Sequence, residues 1–295
     1  MPKYALIMQT NACRPSEIIT SLESAINLDF SLICICGKRL QKDVCENIRN
    51  ISAKANKKVI FSLSNDIVES SRNLTKVEFC FLLSAPDRII SASGSNFFTD
   101  LNLKNNKNIG LLPVYIFINS KSEKCHSYEL CNFSTEIPKE TYININLDKP
   151  LEIRISGIIL PTSAFQSKDM VLAAGTDIKL TAHNLLCSNN IEYIEQTNCV
   201  QIESNLLPNS DFDLYEHLKY YFMQWINSSQ PYTKARLIRK FFDLHKKCSW
   251  AEYMLAVSAI YITACFKVHL QYLWEFPADF LKSVFKYIAC RTVLR

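Results

Sequence analysis

Residues 4–36 read YALIMQTNACRPSEIITSLESAINLDFSLICIC, and this stretch decides the fold. It opens on an apolar run, Tyr4–Met8, that reads as a strand. Pro15-Ser16-Glu17 then opens a helix. Proline suits a first turn, where its missing N–H is not needed, and the glutamate suits the positive helix end. Ile18, Ile19, Leu22 and Ile26 give that helix an apolar face. Phe30–Cys36 is apolar almost throughout, the pattern of a strand buried on both faces. The alternation continues outward. Asp43–Ala55 reads as a second amphipathic helix through Val44, Ile48 and Ile51, and Lys58–Leu63 as a third strand. Val77–Leu83 is a fourth strand, ended by Pro86-Asp87.

Beyond residue 85 the pattern changes. No helix is predicted as far as residue 163. Leu111–Ile118 reads as one apolar strand, and Ile143, Ile145 and Leu147 alternate with Asn144 and Asn146 like a strand with one wet face. Ile153 and Ile155 lead a run to Leu160, and Thr176–Thr181, Ile191–Ile194 and Val200–Ile202 are shorter strand candidates. Leu101–Asn108 is polar and reads as an exposed loop. This middle segment is expected to form antiparallel sheet. The last third is helical: Asp211–Ile226, capped by Asn209-Ser210-Asp211, then Thr233–Lys247, Trp250–Leu273, and a helix from Pro277 to about Thr292. The fold class is therefore α+β, a mixed α/β and antiparallel β body followed by a C-terminal helical module. The expected segments are an α/β portion over 1–85, a β-rich trunk over 86–205 and a helical arm or bundle over 206–295.

Composition excludes more than it assigns. The chain has 295 residues, of which 48% are apolar and 21% charged, so it can build a sizeable core. Only 5 residues are glycine, against about 20 at average usage. Phosphate cradles and nucleophile turns depend on glycine, and no Walker loop, GxGxxG, GxSxG or HExxH occurs. The net charge of +5 favours solubility without specifying a nucleic-acid partner. The start lacks a secretory pattern, so the 12 cysteines are expected to be reduced. The longest uncharged apolar stretch, Tyr253–Phe266, has 14 residues, too short to span a bilayer.

Sites for chemistry are few. Cys125-His126 with Cys131, and His245 with Cys248, have ligand types but not the four-ligand spacing of structural zinc. Pro86-Asp87 with Asp177-Ile178-Lys179 is too widely spaced to make a nuclease motif, and the histidines lie far apart. No catalytic residue, cofactor or metal site is assigned. An α/β enzyme, barrel or Rossmann-like, would place its site at strand ends, here Gln9-Thr10-Asn11, Gly37-Lys38-Arg39 and Ser64-Asn65-Asp66; Lys38 and Arg39 could then hold an anion. A nucleic-acid-binding reading would use the basic face of residues 236–247, with Arg236, Arg239, Lys240 and Lys247. The aromatic load of the same region, Tyr221, Phe222, Trp225, Phe241 and Phe242, offers either a bundle core or a surface for a partner subunit.

Four short patches, taken in order, resemble the smaller-subunit family of the herpesvirus capsid triplex. They are Tyr4–Met8 with Ser16-Glu17-Ile18-Ile19, Leu22 and Ile26; Leu111-Leu112-Pro113-Val114-Tyr115; Ile158-Ile159-Leu160-Pro161-Thr162-Ser163; and Leu218, Tyr221, Phe222, then Arg236-Leu237-Ile238-Arg239 with His245. Leu112 stands where the family has a first proline, Tyr115 where it often has Phe, and Ser163 where it has a last proline. The resemblance implies a non-enzymatic structural subunit without cofactor. Its partners are a second copy of itself, one copy of a larger triplex subunit and the major capsid protein, with no membrane and no specific nucleic acid. Its place is the virion capsid and the host nucleus. The family's two copies embrace through a helical arm, which gives residues 211–273 an interface role and makes Tyr221, Phe222, Trp225, Phe241 and Phe242 the expected contact residues.

Overall fold

The apolar runs at the start of the chain pair as parallel strands. In a computed structural model of the chain, β1 (Tyr4–Gln9), β2 (Leu32–Cys36), β3 (Lys58–Ser62) and β4 (Phe79–Ser84) lie in the order β3-β2-β1-β4, all parallel. The structure describes residues 4–10, 13–37, 39–63, 74, 77–91, 109–111, 114–118, 121–125, 136–149, 155–163, 178–193, 201–204, 213–267, 272, 274–282 and 285. Parallel neighbours need crossovers, and α1 (Pro15–Ala25) and α2 (Lys42–Lys54) supply the first two. Pro15 sits in the first turn of α1, where the Glu17 carboxylate accepts a hydrogen bond from the Arg14 N–H at 2.7 Å. Right-handed crossovers through β1, β2 and β3 put both helices on one face. Accordingly, Ile18 and Leu22 of α1 and Val44 and Ile48 of α2 share one core with Leu6, Met8, Ile33, Ile35 and Phe81. The alternate residues Ala5, Ile7, Cys34, Cys36 and Cys80 are buried too, so this sheet is covered on both faces.

The remaining strands are short. They are β5 (Arg88–Ser91), β6 (Ile109–Leu111), β7 (Val114–Ile118), β8 (Lys121–Cys125), β9 (Glu136–Ile137), β10 (Ile158–Pro161), β11 (Ile191–Tyr193) and β12 (Gln201–Ser204). The first sheet continues from β4 through β10, β6 and β11 to β9, giving eight strands; a second sheet of four runs β5-β12-β7-β8. The expected antiparallel pairing holds for β4–β10, β10–β6, β9–β11, β5–β12 and β7–β8, whereas β6–β11 and β7–β12 are parallel. The single strand read over Leu111–Ile118 is two strands, β6 and β7, in different sheets.

Two strands read from sequence are helices. Residues 143–147 lie in α3 (Lys139–Asp148), and residues 178–181 of the Thr176–Thr181 candidate open α4 (Ile178–Leu186). In α3 the buried positions are Tyr142, Ile143 and Asn146, at helical spacing, so the apparent two-residue alternation came from an asparagine standing on the buried face. In α4 every position from Leu180 to Leu186 is buried, leaving no amphipathic period to read.

The C-terminal helices are α5 (Leu214–Asn227), α6 (Pro231–Asp243), a 3-10 turn over Leu244–Lys247, and α7 (Trp250–Lys267). The N-cap of α5 is Asp213, whose carboxylate accepts the Glu216 N–H at 3.1 Å; Asn209-Ser210-Asp211 lies outside the described residues. Residues 274–282 are helical, so helix surrounds Pro277 instead of starting there. Also outside the described residues are the Leu101–Asn108 loop, Leu112-Pro113, Lys38, Asp66, His126, Cys131 and Asp177.

The fold is α+β, with a mixed sheet body and C-terminal helices. It gathers into two compact units interleaved along the chain. One comprises Met1–Pro138, Leu151–Ser167 and Asn189–Pro208 and holds all the strands above; the other comprises Lys139–Pro150, Lys168–Ser188 and Asn209–Arg295. The helical unit thus draws α3 and α4 out of the segment expected to be β-rich trunk. At the end of β1, Gln9 is 1% exposed and neither polar atom of its side chain has a partner among the described residues. A buried amide without hydrogen bonds is costly. Gln9→Met, which keeps the volume and removes both orphan atoms, is expected to raise the unfolding free energy by about 1 kcal/mol, read as a higher urea midpoint at unchanged slope.

Candidate interaction surface and basic cavity

The helical unit is held from both polar and aromatic sides. One stripe of α3, Glu140, Asn144 and Asp148 at four-residue spacing, is fastened by hydrogen bonds. Ser228 Oγ donates to Glu140 Oε1 at 2.7 Å and the Ser229 N–H to Glu140 Oε2 at 2.9 Å. Thr233 Oγ1 donates to Asn144 Oδ1 at 2.9 Å, and the Arg236 guanidinium to Asp148 at 2.5 Å. The opposite side carries a buried polar group: the Tyr142 hydroxyl bonds His183 Nδ1 at 2.5 Å, and the Asn146 amide donates to the Tyr220 hydroxyl. Burial pushes both phenols above their ordinary range, so they stay protonated.

The aromatic residues expected at an interface are placed as follows. Phe222, Trp225, Phe241 and Phe242 are buried, and Tyr221 is half-buried. Phe276 packs edge-on against three of them, with ring centroids at 4.8 Å from Phe222 and 5.1 Å from both Trp225 and Phe241. The Tyr253 hydroxyl donates to the Phe241 carbonyl at 3.3 Å, and Lys234 Nζ lies 4.4 Å from the Trp225 ring centre. These rings form the interior of their own unit.

What the unit shows to solvent is a different apolar set, which the reading from sequence missed. On α7, Ala251, Leu255, Ser258 and Ile262 are spaced four, three and four apart, with Leu255 72% and Ile262 59% exposed. The buried face of the same helix carries Tyr253, Ile260 and Ala264. Trp274, Ala278 and Leu281 repeat the first steps of this spacing in helical residues 274–282, with Trp274 81% exposed, and Phe285 is exposed as well. This is the three-four spacing of a helix seam, and between Glu252 and Lys267 it contains no ionisable residue other than cysteine and tyrosine. The signal was present in the sequence. It was hidden because α7 is apolar on its buried side as well, so the whole stretch read as core.

The basic face of α6 is partly neutralised. Arg236 is committed to Asp148, and in the following turn Lys246 pairs with Asp243 at 2.6 Å, while Arg239 and Lys240 are exposed. His245 and Cys248 are engaged with backbone: His245 Nδ1 lies 2.6 Å from the Phe242 carbonyl, and Cys248 Sγ 3.7 Å from that of Leu244.

In the sheet unit, the carboxyl ends of β1, β2 and β3 border a cavity of about 350 Å³ under α2. Arg39 lines it, as do Lys42, Cys45 and Arg49, which share one face of α2. Thr10 donates its hydroxyl to the Cys36 carbonyl at 3.2 Å, which fixes the strand ends on that side. Gly37, at φ 151°, ends β2 in a conformation that other residues avoid.

Burial raises the Cys13 and Cys34 thiols to about 11 and the Cys187 thiol to about 12. Because the thiolate is the reactive form, a raised value means slower alkylation at neutral pH. Iodoacetamide at pH 8 is expected to modify half-buried Cys45 in the folded chain and to modify Cys34 and Cys187 only after denaturation, as read by peptide mass mapping. Tyr142→Phe, which removes the hydroxyl that bonds His183 Nδ1, is expected to cost about 1–3 kcal/mol of stability in urea titration. In comparison with known proteins, no family model matches the chain, and neither does any curated protein.

Proposed function

We propose that this chain is a non-enzymatic capsid subunit of the kind represented by the smaller subunit of herpesvirus triplexes. Two copies join one copy of a larger subunit, and the heterotrimer links adjacent capsomers of the major capsid protein during icosahedral assembly in the host nucleus. The four ordered sequence patches support this reading. The observation that carries it is the pair of exposed apolar seams, Ala251-Leu255-Ser258-Ile262 and Trp274-Ala278-Leu281. Single exposed leucines are ordinary, but a seam repeated at the same spacing on two helical segments has the form of a helix–helix joint. The occupant we assign to it is a second copy of the chain. An apolar seam without charges is self-complementary, as a two-fold interface requires, and α7 alone is about 27 Å long.

The order β3-β2-β1-β4 with a cavity at the strand ends favours a second reading, a Rossmann-like ligand-binding or enzymatic unit. Light scattering after co-expression with the neighbouring capsid genes of the source genome separates the two. The expected mass is that of a heterotrimer with two copies of this chain. Leu255→Asp with Ile262→Asp changes only exposed positions, so the unit should still fold and the two-copy species should disappear. A monomer that ignores every capsid protein would overturn the capsid reading; normal assembly of the double variant would overturn the seam.

A further inference from the structure

The cavity under α2 combines features that the capsid reading does not use. Among the described residues, three cationic side chains line it, Arg39, Lys42 and Arg49, and no carboxylate does. Glu46 lies 3.9 Å from Lys42 Nζ, but that pair is largely exposed and Glu46 does not line the cavity, so it neutralises little. The Arg49 guanidinium lies 5.0 Å from the Phe61 ring centre, which orients its planar fork and leaves its N–H donors for an anion. The amino-terminal turn of α2, starting at Lys42, adds the positive helix end to the same side.

The other half of the lining is apolar. Ile35, Leu40, Phe61 and Leu63 border the space, and Leu63 is 75% exposed although it directly follows a strand. A site for a bare inorganic ion has no use for such a wall. A site for a small organic molecule does, and a volume of about 350 Å³ falls at the lower end of such sites. Gly37 borders the same space.

We propose that this cavity binds a small phosphomonoester carried on an apolar or aromatic body, with Arg39 and Arg49 holding the phosphate and Phe61 and Leu63 covering the body. The assignment is independent of the capsid role, because it uses the sheet unit and none of the seam residues. The test uses the full chain and phenyl phosphate as probe, reading the rate of Cys45 alkylation and the melting temperature. Cys45 lines the cavity, so an occupant should shield it. Phenyl phosphate at about ten times its dissociation constant is expected to slow Cys45 alkylation about tenfold and to raise the melting temperature. Arg39→Gln with Arg49→Gln should abolish both effects. Arg39→Gln alone, at an exposed position, should weaken them while leaving the unliganded melting temperature unchanged. No protection by phenyl phosphate, or equal protection in the double variant, would overturn the site. Sodium sulfate at matched ionic strength protecting equally would reduce it to non-specific screening. Inorganic phosphate protecting as well as phenyl phosphate would overturn the apolar half of the assignment.

Discussion

The sheet unit depends on one strand. β1 is hydrogen-bonded along both edges, to β2 and β4, and Leu6, Ile7 and Met8 are buried on both faces. Each such side chain contributes about 1.5–3 kcal/mol on leaving water. A strand so placed tolerates neither a register slip nor a change of direction, since a one-residue slip would exchange the face on which every one of its buried side chains packs. Its parallel neighbours then require crossovers of one hand. That places α1 and α2 on the same side and brings all the strand carboxyl ends to one edge. The cavity beneath α2 follows from this geometry, whatever occupies it.

The helical unit is stabilised on another principle. Its interior is a cluster of rings around Phe276, and its periphery is tied by specific hydrogen bonds from Glu140, Asn144 and Asp148. Rings packed edge-to-face supply area and orientation. The polar ties supply register, because each has a single geometry that satisfies it. With the aromatic interior closed by the chain itself, the apolar residues left outside are the ones that need explanation. Their even spacing on two helical segments distinguishes them from the scattered exposed leucines of any surface.

Legibility from sequence followed the simplicity of the environment. The Tyr4–Ser62 region was readable because strands covered on both faces are apolar throughout and because helices covered on one face are periodic. Pro15 and Glu17 marked a helix start that the structure reproduces. α3 failed because its core face includes Asn146, a polar residue made tolerable by the Tyr220 hydroxyl, which no local pattern reveals. α4 failed because it is covered all round, where period carries no information. Tyr221, Phe222, Trp225, Phe241 and Phe242 read from sequence as either a bundle core or a partner surface, because aromatic density does not distinguish the inside of a bundle from its outside; within the chain four of them are buried and Tyr221 is half-buried. The cavity was half legible. Arg39 was singled out from its place after β2, whereas Arg49 joins it through the helical spacing of α2, which lies 3 and 7 residues beyond Lys42 for Cys45 and Arg49.

The interleaving of the two units has a consequence for synthesis. The chain passes between them after Pro138, Pro150, Ser167, Ser188 and Pro208. α3 finds its hydrogen-bonding partners 88 to 89 residues later, in the segment from Ser228 to Arg236. At ribosomal speeds of about 5–20 residues per second, that separation corresponds to roughly 4–18 s. During this interval a ten-residue helix, too short to persist in water by itself, waits for the surface that fixes it. Neither unit is encoded as one continuous stretch: the sheet unit has all its residues once Pro208 is made, while the helical unit, begun at Lys139, still lacks its last segment. The helical unit stays open until the helices after Pro208 leave the ribosome, and those same helices carry the exposed apolar residues at three-four spacing.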